Sequence, residues 1–349
     1  MRPHLTATLA VLTFASACIS ASPIPLFDEL GDVTAEYEGR PQWPPPPATA
    51  RIRYLGAISA KRDFEPPPSL WRRLVSVFVG EPGVRLVRPA AICMRGTTLA
   101  IADPGAAVVH LLDLHERRWR RIASTPTGPL RSPVGVACLP GGRFVVSDSH
   151  RNGLWSYDKN GLPRGRFSDV PLERPTGLIF DEVHGRLWVA ETSAHRLRAF
   201  DAEGRELLRV GRRGAGAREF NYPTMLAADP DGGVWVTDSL NFRLQHVDST
   251  GVLDRSFGVA GDREGAFARP RGVAVDASGR IFAVDALMDA VQIFDPRGRL
   301  LLAFGGRGTR PGQFWLPADV VLDGLGHVFV ADSFNQRIQV FAYRPPAGG

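Results

Sequence analysis

VWVTDSLNFRLQHV at 234–247 and VFVADSFNQRIQVF at 328–341 align without a gap. Each is an apolar run ending in Asp, a four-residue connection, and a second apolar run opening on Arg. That is the pattern of two antiparallel strands joined by a tight loop. Weaker copies stand at 99–112, 144–157, 187–200 and 281–294. The acid of the pattern recurs as Asp103, Asp148, Glu191, Asp238, Asp285 and Asp332, at intervals of 45, 43, 47, 47 and 47 residues. A proline opens each unit, at Pro89, Pro133, Pro175, Pro223, Pro270 and Pro317. Further short apolar segments flank the pair, so each period holds four strands. A period of about 40–50 residues with four strands is the signature of a propeller blade. The chain is therefore expected to be all-β, a six-bladed β-propeller over 51–344 whose ring removes exposed sheet edges.

Closure leaves one strand to account for. The sixth unit ends after its third strand, near Tyr343, with only a short tail at 345–349. The missing strand is expected from 51–59 (RIRYLGAIS), where Ile52, Tyr54 and Ile58 share one face. Between that strand and the first blade, 69–79 reads as a short helix capped by Ser69, with Leu70, Trp71, Leu74, Val75 and Phe78 turned to the propeller.

The Asp-Ser-x-Asn-x-Arg pattern between two strands resembles the NHL repeat. The resemblance covers about residues 85–343 and is fullest in the fourth unit (Asp238, Asn241, Arg243) and the sixth (Asp332, Asn335, Arg337). The third keeps Arg196 but has Glu191 and Ala194; the first, second and fifth lose the Asn or Arg positions. It implies that these Asp, Asn and Arg residues maintain the repeat. It is specific for fold and says little of function. The leader, the Trp-Pro-rich stretch at 43–47 and the Ile52-Arg53-Tyr54-Leu55 strand are also similar to those of bacterial exported proteins described as six-bladed propellers.

The N-terminus carries targeting signals. Arg2, an apolar stretch from Leu5 to Phe14 and the small residues Ala15-Ser16-Ala17 read as a secretory leader over 1–17. Cys18 follows, as the lipidated cysteine of bacterial lipoproteins does, although Ala15 stands where leucine is preferred. Residues 18–50, ending in Trp43-Pro44-Pro45-Pro46-Pro47, read as a stiff Pro-rich tether. The expected location is the cell envelope, as an outer-membrane lipoprotein or a periplasmic protein that meets the membrane only through a lipid. Cys93 and Cys138 fit no metal or redox spacing; in an exported chain they are free to pair.

The net charge is +6, and the 42 basic residues include only two lysines, Lys61 and Lys159. No compact basic block with interleaved aromatics appears, so no nucleic-acid partner is expected. The six acids at equivalent strand ends are expected to order the following turns rather than to hold calcium. Trp188, Trp235, Phe282 and Phe329, each three residues before an acid, are expected to fill the space between sheets. Glycine-rich loops at 211–223, 258–270 and 305–317 precede no helix, so they are turns rather than phosphate loops. Their arginines, Arg212, Arg213, Arg218, Arg263, Arg307 and Arg310, form a candidate anion-binding rim.

At the channel mouth, the positions after the blade prolines hold only two chemically capable residues, Arg271 and Asp319. His150 and His195 occupy comparable loops, but two ligands do not make a zinc site. No catalytic residue, metal or cofactor is assigned. The expected function is a monomeric module that binds an envelope protein or glycan. The alternative is a lactonase-like or amidating-lyase-like enzyme with a degenerate site around Arg271 and Asp319.

Overall fold

In the computed structural model, which describes residues 40–63 and 83–345, six antiparallel sheets stand around a central channel. Blades one to five each take four consecutive strands. Blade five shows the plan: Pro270–Val275 innermost, then Ile281–Asp285, Ala290–Phe294 and Leu300–Gly305. Neighbouring innermost strands touch all the way round, including Asp319–Leu322 of blade six against Ala91–Arg95 of blade one.

Blade six closes the ring as its strand count demands. Its third strand, Arg337–Tyr343, pairs antiparallel with the N-terminal strand Ile52–Ile58, from Ile52 opposite Tyr343 to Ile58 opposite Ile338. Ile52 and Ile58 are buried. The Pro-rich run read as the end of a tether departs from expectation. From Arg40 onward it is part of the propeller, where Gln42–Trp43 pairs with Ile52–Arg53 as a fifth strand of this blade. The cause is Trp43, whose indole packs on Phe304 and Phe341 at 5.8 and 6.1 Å between centroids. An aromatic side chain in a polyproline-like stretch gains more from that contact than from solvent. The leader, Cys18, the helix at 69–79 and the last residues of the tail lie outside the described residues.

The core lies between the blades. Trp188 and Trp235 are fully buried where blade three meets four and four meets five. Phe282 and Phe329 do the same at the junctions of five with six and six with one. The glycine-rich loops carry their own cores: Phe220, Phe267 and Phe314 are fully buried beneath them. Gly305, at φ +109°, passes so close that a Cβ there would lie 2.5 Å from the Phe314 ring. Blades one and two are also joined covalently by a Cys93–Cys138 disulfide, the pairing the sequence left open.

Candidate functional site

Each of the six acids ends the second strand of its blade and is fully buried. Together they pin the backbone just before the blade prolines, and so build one face of the disc. In blades one, two and five the carboxylate accepts two successive backbone N–H groups: Val87 and Arg88 on Asp103, Arg131 and Ser132 on Asp148, Ala268 and Arg269 on Asp285. In blades three, four and six it accepts one, from Glu173, Asn221 or Trp315. Side chains supply the rest. Asn241, Arg243 and Gln245 converge on Asp238 Oδ2 at 2.8–3.0 Å, and Asn335, Arg337 and Gln339 converge on Asp332 Oδ2 at 2.7–2.9 Å. Arg196 and Arg198 serve Glu191.

The N–H released in blades three, four and six is taken by a turn residue of the preceding blade. Asn152 accepts from Arg174, His195 from Tyr222 and Asp289 from Leu316. Arg174, Tyr222 and Leu316 accordingly sit at positive φ, 47–57°. His195 is thus a buried structural acceptor set edge-to-face against Tyr222, at 4.7 Å between centroids, and does not join His150. The residue after the acid adds an inter-blade clasp. Ser149, Thr192 and Ser239 donate to the carbonyls of Pro175, Pro223 and Pro270 at 2.6–2.7 Å.

This scaffold encloses a funnel of about 920 Å³ at the mouth of the channel. The residues before the six prolines all line it: Arg88, Ser132, Arg174, Tyr222, Arg269 and Leu316. Arg271 stands deeper, half-buried, and His150 lies on the wall. Burial, reinforced by the neighbouring positive charge of Arg269 and opposed by Asp319, holds the Arg271 guanidinium below its usual pKa. Among the described residues, no Asp or Glu lines the funnel. Leu240, Leu287 and Phe334 leave exposed apolar surface on blades four to six.

The far end of the channel is narrower, about 200 Å³, and an ion pair between Arg95 and Glu182 joins blades one and three there. Asp319 belongs to this lower chamber, not to the mouth. It occupies a position that is Gly272 in blade five, and Gly272 leaves it room: a Cβ there would stand 2.4 Å from the Asp319 Cα. The Asp319 carboxylate accepts the Ile92 N–H across the closure seam at 2.9 Å. Burial pushes its pKa up to about 7, against the hydrogen bonds from Ile92 and Val320 and the charge of Arg271. No hydrogen bond or ion pair joins it to Arg271.

Of the residues read from sequence as binding candidates, the structure brings only Arg271 into the funnel. Arg212, Arg213, Arg218, Arg263, Arg307 and Arg310 stay in the outer loops, where Arg212 is already paired with Glu219 at 3.0 Å. Arg88, Arg174 and Arg269 were the residues missed. Their signal was available one position before each proline rather than one after. Among the described residues, no three of His, Cys, Asp and Glu converge to hold a metal ion.

A search of curated protein sequences finds no match. Among solved structures, a Bacteroides thetaiotaomicron protein of unknown function is similar, with TM-score 0.59, 15% identity, and 75% of this chain and 70% of that one covered. A catalytically inactive virginiamycin B lyase from Staphylococcus aureus, determined with quinupristin, is similar at TM-score 0.56 and 13% identity, covering 74% and 95%. A chain of a nidogen/laminin complex is similar at TM-score 0.51 and 17% identity, covering 62% and 79%. At such identities the likeness is one of fold. A family model described as the NHL repeat matches residues 220–247 and 314–341, the two units whose acid, Asn and Arg form the full side-chain network. The chain is a six-bladed β-propeller carrying NHL repeats.

Proposed function

We propose that this chain is an exported binding module that presents the funnel face of a rigid propeller to a protein or glycan of the cell envelope. One observation carries the reading. Among the described residues, the funnel wall offers guanidinium groups, hydroxyls and exposed Leu and Phe side chains, and no carboxylate. Such a wall suits recognition, since it has donors and apolar contacts but lacks a paired acid and base. The leader-like N-terminus and the Cys93–Cys138 disulfide support export, because disulfides persist in oxidising compartments. Lipidation at Cys18 would tether the disc to the membrane.

A lyase or hydrolase is the second reading. It draws on the lyase among the similar folds and on Asp319, whose pKa near 7 suits proton transfer at neutral pH. Against it, the Asp319 carboxylate is engaged by Ile92 in the lower chamber, apart from the funnel.

The test uses intact cells of the source organism. A photo-crosslinking residue at position 287, on the funnel rim, is compared with one at 324, on the opposite turn. A discrete adduct from 287 alone supports the binding face; equal labelling from both, or none, refutes it. The mass of the mature protein tests export, with loss of residues 1–17 expected and a diacylglyceryl group on Cys18 if it is tethered.

A further inference from the structure

Arginines precede the proline of blades one, three and five, as Arg88, Arg174 and Arg269, whereas Ser132, Tyr222 and Leu316 stand in blades two, four and six. Around a six-bladed ring, three guanidinium groups on alternate blades are spaced by about a third of a turn. Arg271 adds a fourth charge deeper in the same space.

None of the four guanidinium groups makes an ion pair or hydrogen bond among the described residues. Arg88, Arg174 and Arg269 are exposed, as are other unpaired arginines such as Arg213 and Arg263; it is the half-buried Arg271 that departs from the pairing of arginines inside the fold. Arg196, Arg198, Arg243, Arg255, Arg280 and Arg337 each meet a carboxylate at 3.0 Å or less. Arg88 rests on the face of Phe334, 5.3 Å from its centroid, a contact that leaves its N–H donors open. The backbone N–H groups of Arg88 and Arg269 are held by Asp103 and Asp285, and that of Arg174 by Asn152. Those acceptors are consumed by the main chain, which leaves the funnel guanidiniums without an internal partner.

Unpaired like charges around a shared cavity disfavour the empty state, most of all where one is half-buried, as Arg271 is. Arg271 is not required by the fold, because Ala90 and Ala318 occupy its position in blades one and six. Resting on the reading of this face as the binding face, we infer that the funnel is a site for a small multivalent oxyanion, a molecule bearing several carboxylate or phosphate groups. A monovalent anion reaches one or two of the guanidiniums; a ligand with three charged groups reaches the alternating ring together, with Arg271 beneath it. Planar guanidinium groups bind either oxyanion through paired N–H donors. The cavity volume falls within the range of small-molecule sites.

Isothermal titration of the folded protein with citrate and with tripolyphosphate, at physiological salt, tests the site. Acetate and inorganic phosphate serve as monomeric controls. One-to-one saturable binding is expected for at least one multivalent probe, and whichever binds tighter identifies the carboxylate or phosphate source. Affinity should fall about tenfold or more in Arg271→Ala and in Arg174→Ser, the loss of one charge-assisted contact. Both replacements install residues that other blades already carry there. Arg164→Ala, on an exposed outer strand, should leave affinity unchanged. Absence of saturable binding overturns the inference, as does an equal effect of all three variants, which would indicate diffuse attraction to a basic protein. Loss of anion binding with crosslinking from position 287 intact refutes this inference and not the binding-module reading. The reverse result does the opposite.

Discussion

A buried carboxylate needs donors, and the six blades meet that need in two ways. Where the repeat keeps its arginine, as at Arg196, Arg243 and Arg337, one backbone N–H and a side-chain network share the acid. Where that position is Val108, Gly153 or Ala290, a second backbone N–H replaces the arginine. Degeneracy of the motif in blades one, two and five is therefore compensated in the main chain, with no acid left unmatched. Electrostatics follow the same division. Burial raises Asp238 and Asp332 above the ordinary carboxylate range, even against their donors. For Asp103 burial is outweighed by hydrogen bonds from His110, Val87 and Arg88, and the pKa is lowered. Asp319 is the extreme case. Its folded pKa of about 7 lies above the ordinary value of 3.8, so its stabilising effect is complete below about pH 4 and is lost as pH rises to 7. Asp319→Asn keeps an acceptor for Ile92 but carries no charge. In denaturant titrations it should exceed the wild type in stability at pH 8, by up to about 4 kcal/mol, since each pH unit between the unfolded and folded pKa contributes roughly 1.4 kcal/mol. Because only the wild type gains on acidification, the gap should close by about pH 4. A gap independent of pH would show that the charge is not the cause.

At the scale of elements, the ring depends on a strand from the far end of the chain. Ile52–Ile58 covers the outer edge of Arg337–Tyr343, which would otherwise offer a free row of backbone groups. A chain beginning at Ser59 should lose cooperative unfolding and scatter light at micromolar concentration, where the longer chain stays monodisperse. Ile52→Ala, a milder change at a fully buried site, should cost about 2–4 kcal/mol by denaturant midpoint. This strand was legible in the sequence because the sixth repeat is one strand short and 51–59 alternates. The two-residue strand at Gln42–Trp43 was not. Its proline neighbours read as extended and solvated, and only the contact with Phe304 and Phe341 reverses that. The site was legible in the same partial way. Arg271 stood out as a charge among small residues. The alternating Arg88, Arg174 and Arg269 did not, because a sequence rich in arginine does not distinguish a paired guanidinium from a free one. That distinction depends on which donors each buried acid consumes, a property of the folded ring.

For the whole molecule, the two ends of the channel differ in kind. One is a wide mouth walled by unpaired cations; the other is narrow and spanned by the Arg95–Glu182 pair. The disulfide ties the first two blades next to the seam where blade one meets blade six. Replacing Cys93 and Cys138 together by serine should lower stability by about 2–4 kcal/mol in oxidising buffer. In strong reductant the two proteins should unfold alike. A difference that survives reduction would assign the loss to packing in the lower chamber rather than to the cross-link.

The seam has a temporal side as well. Within the propeller, the segment around Ile52 is synthesised before all six blades, and its partner around Tyr343 after five of them. Apart from Gln42–Trp43, the strand at Ile52–Ile58 has no partner in the sheet until Arg337–Tyr343 exists. A product cut short after blade five keeps most of its sheets yet has nothing for that strand to clasp. Its unsatisfied segment would stand as a mark of incompleteness for proteases and chaperones to read. Closure of the ring is thus the last pairing that the propeller can make.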